Sequence, residues 1–182
     1  WRAVPVPELE RPGVHAFFKV WGTGPDDVVV VGQRGAILRY DGATWSEEGA
    51  GLSEDLIALW GTGPDHVVAV GGRGNGVAAV WDGATWTGFQ LAPTPGLNGV
   101  WTNADGSAWV AGEVGTLGRL DTATGAFTPT ELPLEGIARQ ADFHALFGHD
   151  DGSLTAVGGN FSQPSGPFRG LAWWSRTEGR EP

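Results

Sequence analysis

A repeat constrains this chain more than any other feature. Four segments align without gaps: Trp21-Gly-Thr-Gly-Pro-Asp-Asp-Val-Val-Val-Val-Gly32, Trp60-Gly-Thr-Gly-Pro-Asp-His-Val-Val-Ala-Val-Gly71, Trp101-Thr-Asn-Ala-Asp-Gly-Ser-Ala-Trp-Val-Ala-Gly112 and Phe147-Gly-His-Asp-Asp-Gly-Ser-Leu-Thr-Ala-Val-Gly158. In each, an aromatic and a closing glycine lie 11 residues apart, and successive aromatics are separated by 39, 41 and 46 residues. A period of about 40 belongs to the blades of a propeller or to helical repeats such as HEAT. No segment carries a helical apolar period of useful length, which excludes the helical option.

Each repeat resolves into four strand signals. The first is a short apolar run ending at the aromatic, over 17–21, 56–60, 97–101 and 143–147. The second is β-branched or small, over 28–31, 67–70, 108–111 and 154–157. Between them lie Gly-Pro-Asp or Asp-Gly-Ser, which favour tight reversals. The third strand is predicted over 37–40, 77–81, 116–120 and 171–174. Asp41-Gly-Ala-Thr-Trp45, Asp82-Gly-Ala-Thr-Trp86 and Asp121-Thr-Ala-Thr-Gly-Ala-Phe127 follow it. Asp-Gly between apolar runs signals a hairpin, and the aromatic after it opens a fourth strand.

The fourth repeat lacks that last strand, and residues 1–7 resemble the fourth strands beginning at Trp45, Trp86 and Phe127. Trp1 precedes Trp21 by 20 residues, as Phe127 precedes Phe147. The expectation is therefore an all-β, four-bladed β-propeller whose N-terminal strand closes the last blade and leaves only short outer edges. The single domain spans 1–182, with blades near 13–52, 53–94, 95–135 and 136–182 plus 1–12. The rival is a piece of a longer propeller cut between strands.

These repeats resemble tandem propeller repeats of secreted and surface proteins of bacteria. Those follow Trp-Gly-Thr-Gly-Pro-Asp-Asp-Val with Val-Gly and then an apolar strand ending in Asp-Gly-x-x-Trp. The Asp-Gly-Ala-Thr-Trp segments are also loosely similar to the Asp-box of sialidase-like propellers, without the Ser or Thr that opens it. The resemblance covers nearly the whole chain. It implies the fold and an extracytoplasmic location (secreted, periplasmic or cell surface). It carries over no catalytic residue, because the matching positions are all structural.

Composition narrows the function classes. The 182 residues hold 11 Lys and Arg against 21 Asp and Glu, a net charge of −10. Nucleic-acid binding needs a basic footprint, so no nucleic-acid partner is expected. With no Cys there is no disulfide framework, Cys zinc site or thiol chemistry. No apolar run approaches the ~20 residues of a membrane helix, so no membrane-spanning segment is expected. Without Met anywhere, the chain reads as a processed or trimmed product.

Most of the ten Trp are better read as core than as ligand platforms. Trp21, Trp60, Trp101 and Phe147 recur at one blade position, and Trp1, Trp45, Trp86 and Phe127 at another. Each such side chain buries ~150–250 Å² between blades. Trp109, Trp173 and Trp174 are less regular, with room for one to be exposed. Asp41, Asp82 and Asp121 read as turn formers whose carboxylates bond nearby backbone N–H groups.

Function is sought where the repeats differ, because such variation gathers on one loop face. The loops between strands two and three share a face with those joining one blade to the next. Together they bring Arg34, Arg73, His15, Glu54, Asp55, Asn98, Glu113, Arg139, Asp142, His144 and Asn160 to one mouth. On the innermost strand, two residues before each aromatic, stand Lys19, Ala58, Gly99 and Ala145. Three are small, as a crowded axis requires, and Lys19 breaks the rule. It either reaches along the channel to Asp55 or Asp142, or points into solvent. One residue earlier stand Phe18, Ile57, Asn98 and His144, with two polar exceptions.

No metal site is expected. His15, His144 and Asp55 or Asp142 suit a transition metal in kind, but no compact ligand spacing supports it. Asp26-Asp27 and His149-Asp150-Asp151 lack the oxygen pattern of an EF-hand loop. No cofactor is expected either; a cation on the fourfold axis, held by backbone carbonyls, is the one option left open. Enzyme motifs are sparse. Nucleophile elbow and P-loop are absent, Gly71–Gly76 has no helix behind it, and Tyr40, the one tyrosine, falls in a repeated core slot. The leading expectation is a non-catalytic binding module whose mouth takes a glycan, a small ligand or a partner protein. The alternatives are a hydrolase or lyase using Glu54, Asp55, Glu113 or Asp142 with a His, and an assembly module of a larger surface protein.

Overall fold

In the computed structural model, residues 5–133, 140–159 and 170–175 are described. Among them the chain is all-β and forms fifteen strands. β1 (Phe17–Gly24), β2 (Asp27–Gly32), β3 (Ile37–Tyr40) and β4 (Trp45–Glu48) make the first blade. β5 (Leu56–Gly63), β6 (His66–Gly71), β7 (Val77–Trp81) and β8 (Trp86–Gln90) make the second. β9 (Leu97–Thr102), β10 (Ala108–Gly112), β11 (Leu117–Leu120) and β12 (Phe127–Pro129) make the third. β13 (Asp142–Gly148), β14 (Leu154–Gly159) and β15 (Leu171–Ser175) belong to the fourth. Every sheet is an antiparallel meander in chain order, three with four strands and one with three described strands. No helix among the described residues is long and apolar enough to cross a membrane.

The repeat in the sequence becomes a repeat in register. Trp21 pairs with Val29, Trp60 with Val68, Trp101 with Trp109 and Phe147 with Thr155. The innermost strand runs beyond its aromatic, as far as Gly24 and Gly63 in the first two blades. The Asp-Gly hairpins form as expected. Asp41 Oδ1 accepts the N–H groups of Ala43 at 2.9 Å and Thr44 at 2.7 Å. Asp82 repeats this with Ala84 and Thr85, and Asp121 with Ala123 and Thr124. The N–H of Thr44, then that of Ala43, holds the Asp41 carboxyl below the usual carboxylate range. A lowered value means the turn is favoured above the unfolded-chain pKa and loses that support as pH falls through the folded one.

Because side chains alternate across a strand, each blade has a front face toward the next blade and a rear face toward the previous one. Val29, Val31 and Ile37 of the first blade's front, with Trp21, pack on Leu56, Leu59, Val67 and Ala69 of the second blade's rear. The second blade's Ala58, Val68 and Val70 meet the third blade's Leu97, Val100, Ala108 and Val110 in the same way. Ala111 and Leu117 of the third meet Phe143, Leu146 and Ala156 of the fourth. The aromatics bridge these contacts. Trp60 stacks on Trp101 with centroids 4.7 Å apart, and Trp101 meets Phe147 at 4.6 Å. Gly148 is required by this packing, since a Cβ there would collide with the Trp101 indole.

The first contact also carries an ionic seam. Arg39 bonds Asp27 at 2.9 Å and Glu48 at 3.1 Å, and its guanidinium lies 4.3 Å from the centre of a Trp81 ring. Glu48 in turn accepts the Trp86 indole N–H at 2.6 Å. One seam thus ties the first blade's edge to the second.

Phe147 holds the slot expected in the core with its three counterparts, yet it is 50% exposed. The reason is positional: it stands on the front of the fourth blade, where no following sheet of the described residues covers it. The expected closing strand begins with residues 1–4, which lie outside the described residues, and Pro5, Val6 and Pro7 form no strand. Inner strands β1 and β5, β5 and β9, and β9 and β13 pack side by side, and β13 and β1 share no comparable packing among the described residues.

Candidate functional site

The mouth is built by the β2–β3, β6–β7 and β10–β11 turns and by the segments leading into β5, β9 and β13. Three of its acids hold one blade to the next. Asp55 Oδ1 accepts the Arg34 N–H at 3.0 Å, and Asp55 Oδ2 accepts Arg73 Nε–H at 3.1 Å. Asp142 Oδ1 accepts the Val114 N–H at 2.9 Å. Arg34 and Val114 occupy equivalent positions, two residues after the closing glycine, and both adopt left-handed backbone, with φ of 57° and 54°. That conformation is costly for a non-glycine residue and most of all for β-branched Val. The acid on the following blade holds it in place.

The third blade carries Gly96 where Asp55 and Asp142 stand on theirs. Glu113 takes over the task by reaching backwards, accepting the N–H groups of Gly74 at 3.2 Å and Gly96 at 3.3 Å. Arg11 completes the pattern, donating to the carbonyls of Arg34 and Leu52. Asp55, Glu113 and Asp142 are therefore engaged with backbone at the mouth. Glu54 accepts the Gln90 side-chain amide at 3.0 Å, and this bond, first among its causes, lowers its pKa. A general acid at neutral pH needs the opposite shift. Tyr40 donates its hydroxyl to the Gly42 carbonyl at 2.7 Å and packs on Trp45, a turn role.

His15 lies against the β2–β3 turn: its N–H donates to Gln33 Oε1 at 2.8 Å. Among the described residues no three His, Asp or Glu side chains come together to hold a metal, and His15, His144, Asp55 and Asp142 form no such group. Arg139 and Asn160, also assigned to the mouth, lie outside the described residues.

A second feature lies further in. The inner strands of the second, third and fourth blades, with Lys19 of the first, line an open-sided cavity of about 320 Å³. Its floor is the row of small residues Ala58, Gly99 and Ala145, and its aromatic walls are Trp60 and Phe147. The three residues that break the inner-strand pattern, Lys19, Asn98 and His144, all face this one space. Asn98 Nδ2 donates to the Phe143 carbonyl at 3.0 Å, and His144 Nε2 meets the Gly159 carbonyl at 3.0 Å. Among the described residues no carboxylate lines the cavity and Lys19 makes no ion pair, so it does not reach Asp55 or Asp142. Trp60, Phe147 and Thr155 were missed as lining residues. The aromatics hold slots that the repeat marks as core, and Thr155 enters because it pairs with Phe147 across β13 and β14.

No protein-family model and no curated protein sequence matches the chain. Solved structures do. The computationally designed Ika4 protein aligns with a TM-score of 0.59 and 16% identity, over 96% of this chain and 98% of its own. The tricorn protease gives 0.58 and 16% over 96% of this chain, and YCF48 bound to D1 peptide gives 0.56 and 19% over 84%. All three are β-propeller proteins. The fold is that of a β-propeller. The chain spans 18% of the tricorn protease chain and 50% of the YCF48 chain. At 16–19% identity the likeness to these propellers is one of fold alone.

Proposed function

We propose that this propeller is a non-catalytic binding module outside the cytoplasm that takes an extended peptide segment of a partner protein. One observation carries the reading. The three departures from the inner-strand pattern converge on a single cavity with aromatic walls, at the small end of the ~300–1,000 Å³ of ligand sites. An apolar side chain fits between Trp60 and Phe147. Peptide carbonyls or a carboxylate meet the Lys19 ammonium, the one Lys or Arg among the described residues that line the cavity. Around it the net charge of −10 favours neutral or basic flanking residues. The YCF48 structure, similar to this chain in fold, is bound to D1 peptide, which favours a peptide over a glycan. The engagement of Asp55, Glu113 and Asp142 with backbone, and the lowered pKa of Glu54, count against acid–base catalysis.

The test is fluorescence polarisation with a fixed array of synthetic peptides, each neutral or basic apart from one central apolar residue. Binding is expected, weakened at least about tenfold, or ~1.4 kcal/mol, by Lys19→Glu and by Ala145→Trp, which fills the cavity from an exposed position. Binding untouched by both variants, or an array with no binder, overturns the reading.

A further inference from the structure

The rear of the first blade and the front of the fourth are unlike surfaces, and each is bare where its counterparts are covered. Val20 stands at the position of Leu59, Val100 and Leu146. Those three are 1%, 5% and 9% exposed, and Val20 is 60% exposed. On the same face Val28 and Val30 are half-buried, whereas Val67, Ala69, Ala108, Val110 and Ala156 are sealed. At the other end Val157 occupies the position of Val31, Val70 and Ala111. It is 43% exposed where they are fully buried. Phe147 beside it holds the slot of Trp21, Trp60 and Trp101; it and Val157 also line the cavity, as does Trp60, which at the same time stacks on Trp101 of the next blade.

Contiguous apolar surface of this kind marks a place where another molecule packs. Its shape follows from the three contacts already present. In each, a front face carrying the aromatic and the Val31-type residue meets a rear face carrying the Leu59-type residue. The fourth blade offers an unmatched front and the first an unmatched rear. These are the two halves of the contact that the molecule makes three times over.

We infer that these faces bind a second copy of this chain head to tail. The front of one copy's fourth blade packs on the rear of its partner's first blade. Two copies supply both halves twice, so a pair joined by two such contacts about a two-fold axis leaves neither half unmatched. A second copy is favoured over an unrelated partner because it presents both missing halves in the geometry the interior contacts use.

Light scattering coupled to size exclusion of the 182-residue chain tests this across a concentration series. The expected mass at high concentration is twice the 19.0 kDa of one chain. Val20→Glu and Val157→Lys, both at exposed positions, are each expected to give single chains with an unchanged circular dichroism spectrum. Mixed in equal amounts they are expected to restore the double mass, because one contact is then native and the other pairs Glu with Lys. A chain that stays single at all concentrations overturns the inference and identifies closure within one copy or a different partner. A double mass that survives both variants, or a mixture that remains single, overturns it equally.

Discussion

The three buried contacts between blades and the two bare faces at the ends are made from the same repeat positions. Leu59 is sealed and Val20 is open, although both stand one residue before the aromatic of their inner strand. The difference does not lie in the residues, which are aliphatic in both cases. It lies in whether a neighbouring sheet is present. In a repeat fold each unit cannot bury its own face, and stacking supplies the core. A repeat position therefore fixes the kind of face, and the neighbour fixes its energy.

Paired truncations sharpen that comparison. Leu59→Ala is expected to cost about 2–5 kcal/mol in urea unfolding, as a buried leucine truncated in a packed contact. Val20→Ala is expected to cost under about 0.5 kcal/mol when measured on dilute single chains. Equal costs at the two sites would mean that the bare face is covered in the isolated chain.

The mouth offers a smaller contrast between an acid and the strained residue it holds. Asp142→Ala removes the acceptor of the Val114 N–H and is expected to lower stability by about 1 kcal/mol. Val114→Gly removes the β-branched side chain from left-handed backbone and is expected to raise it by up to about 1 kcal/mol. Thermal unfolding of both variants reads the two signs. Two changes of the same sign would contradict the role given to Asp142.

Much of this was legible in the residues. The spacing of aromatic and glycine placed the inner and second strands of all four blades. Lys19, Asn98 and His144 stood out as breaks in a small-residue and apolar pattern, and they do share one cavity. The function of the mouth acids was not legible. Asp55 and Asp142 accept from residues 21 and 28 positions away, in a different repeat. Their partners are backbone groups, which no residue type announces. The likeness of Glu113 to these acids was hidden further, since it stands in a different slot and reaches in the opposite direction to replace the carboxylate missing at Gly96. The exposure of Phe147 was hidden for the reason that separates Leu59 from Val20. Its position predicts a core aromatic, and its burial depends on what lies in front of the fourth blade.

That dependence is open to direct test. The chain contains no cysteine, so a variant carrying Val20→Cys and Val157→Cys has only these two thiols. After mild oxidation, non-reducing electrophoresis is expected to show a covalent pair of chains, linked front to rear. A single chain cross-linked to itself would contradict the account, because it would place the first and fourth blades of one copy against each other.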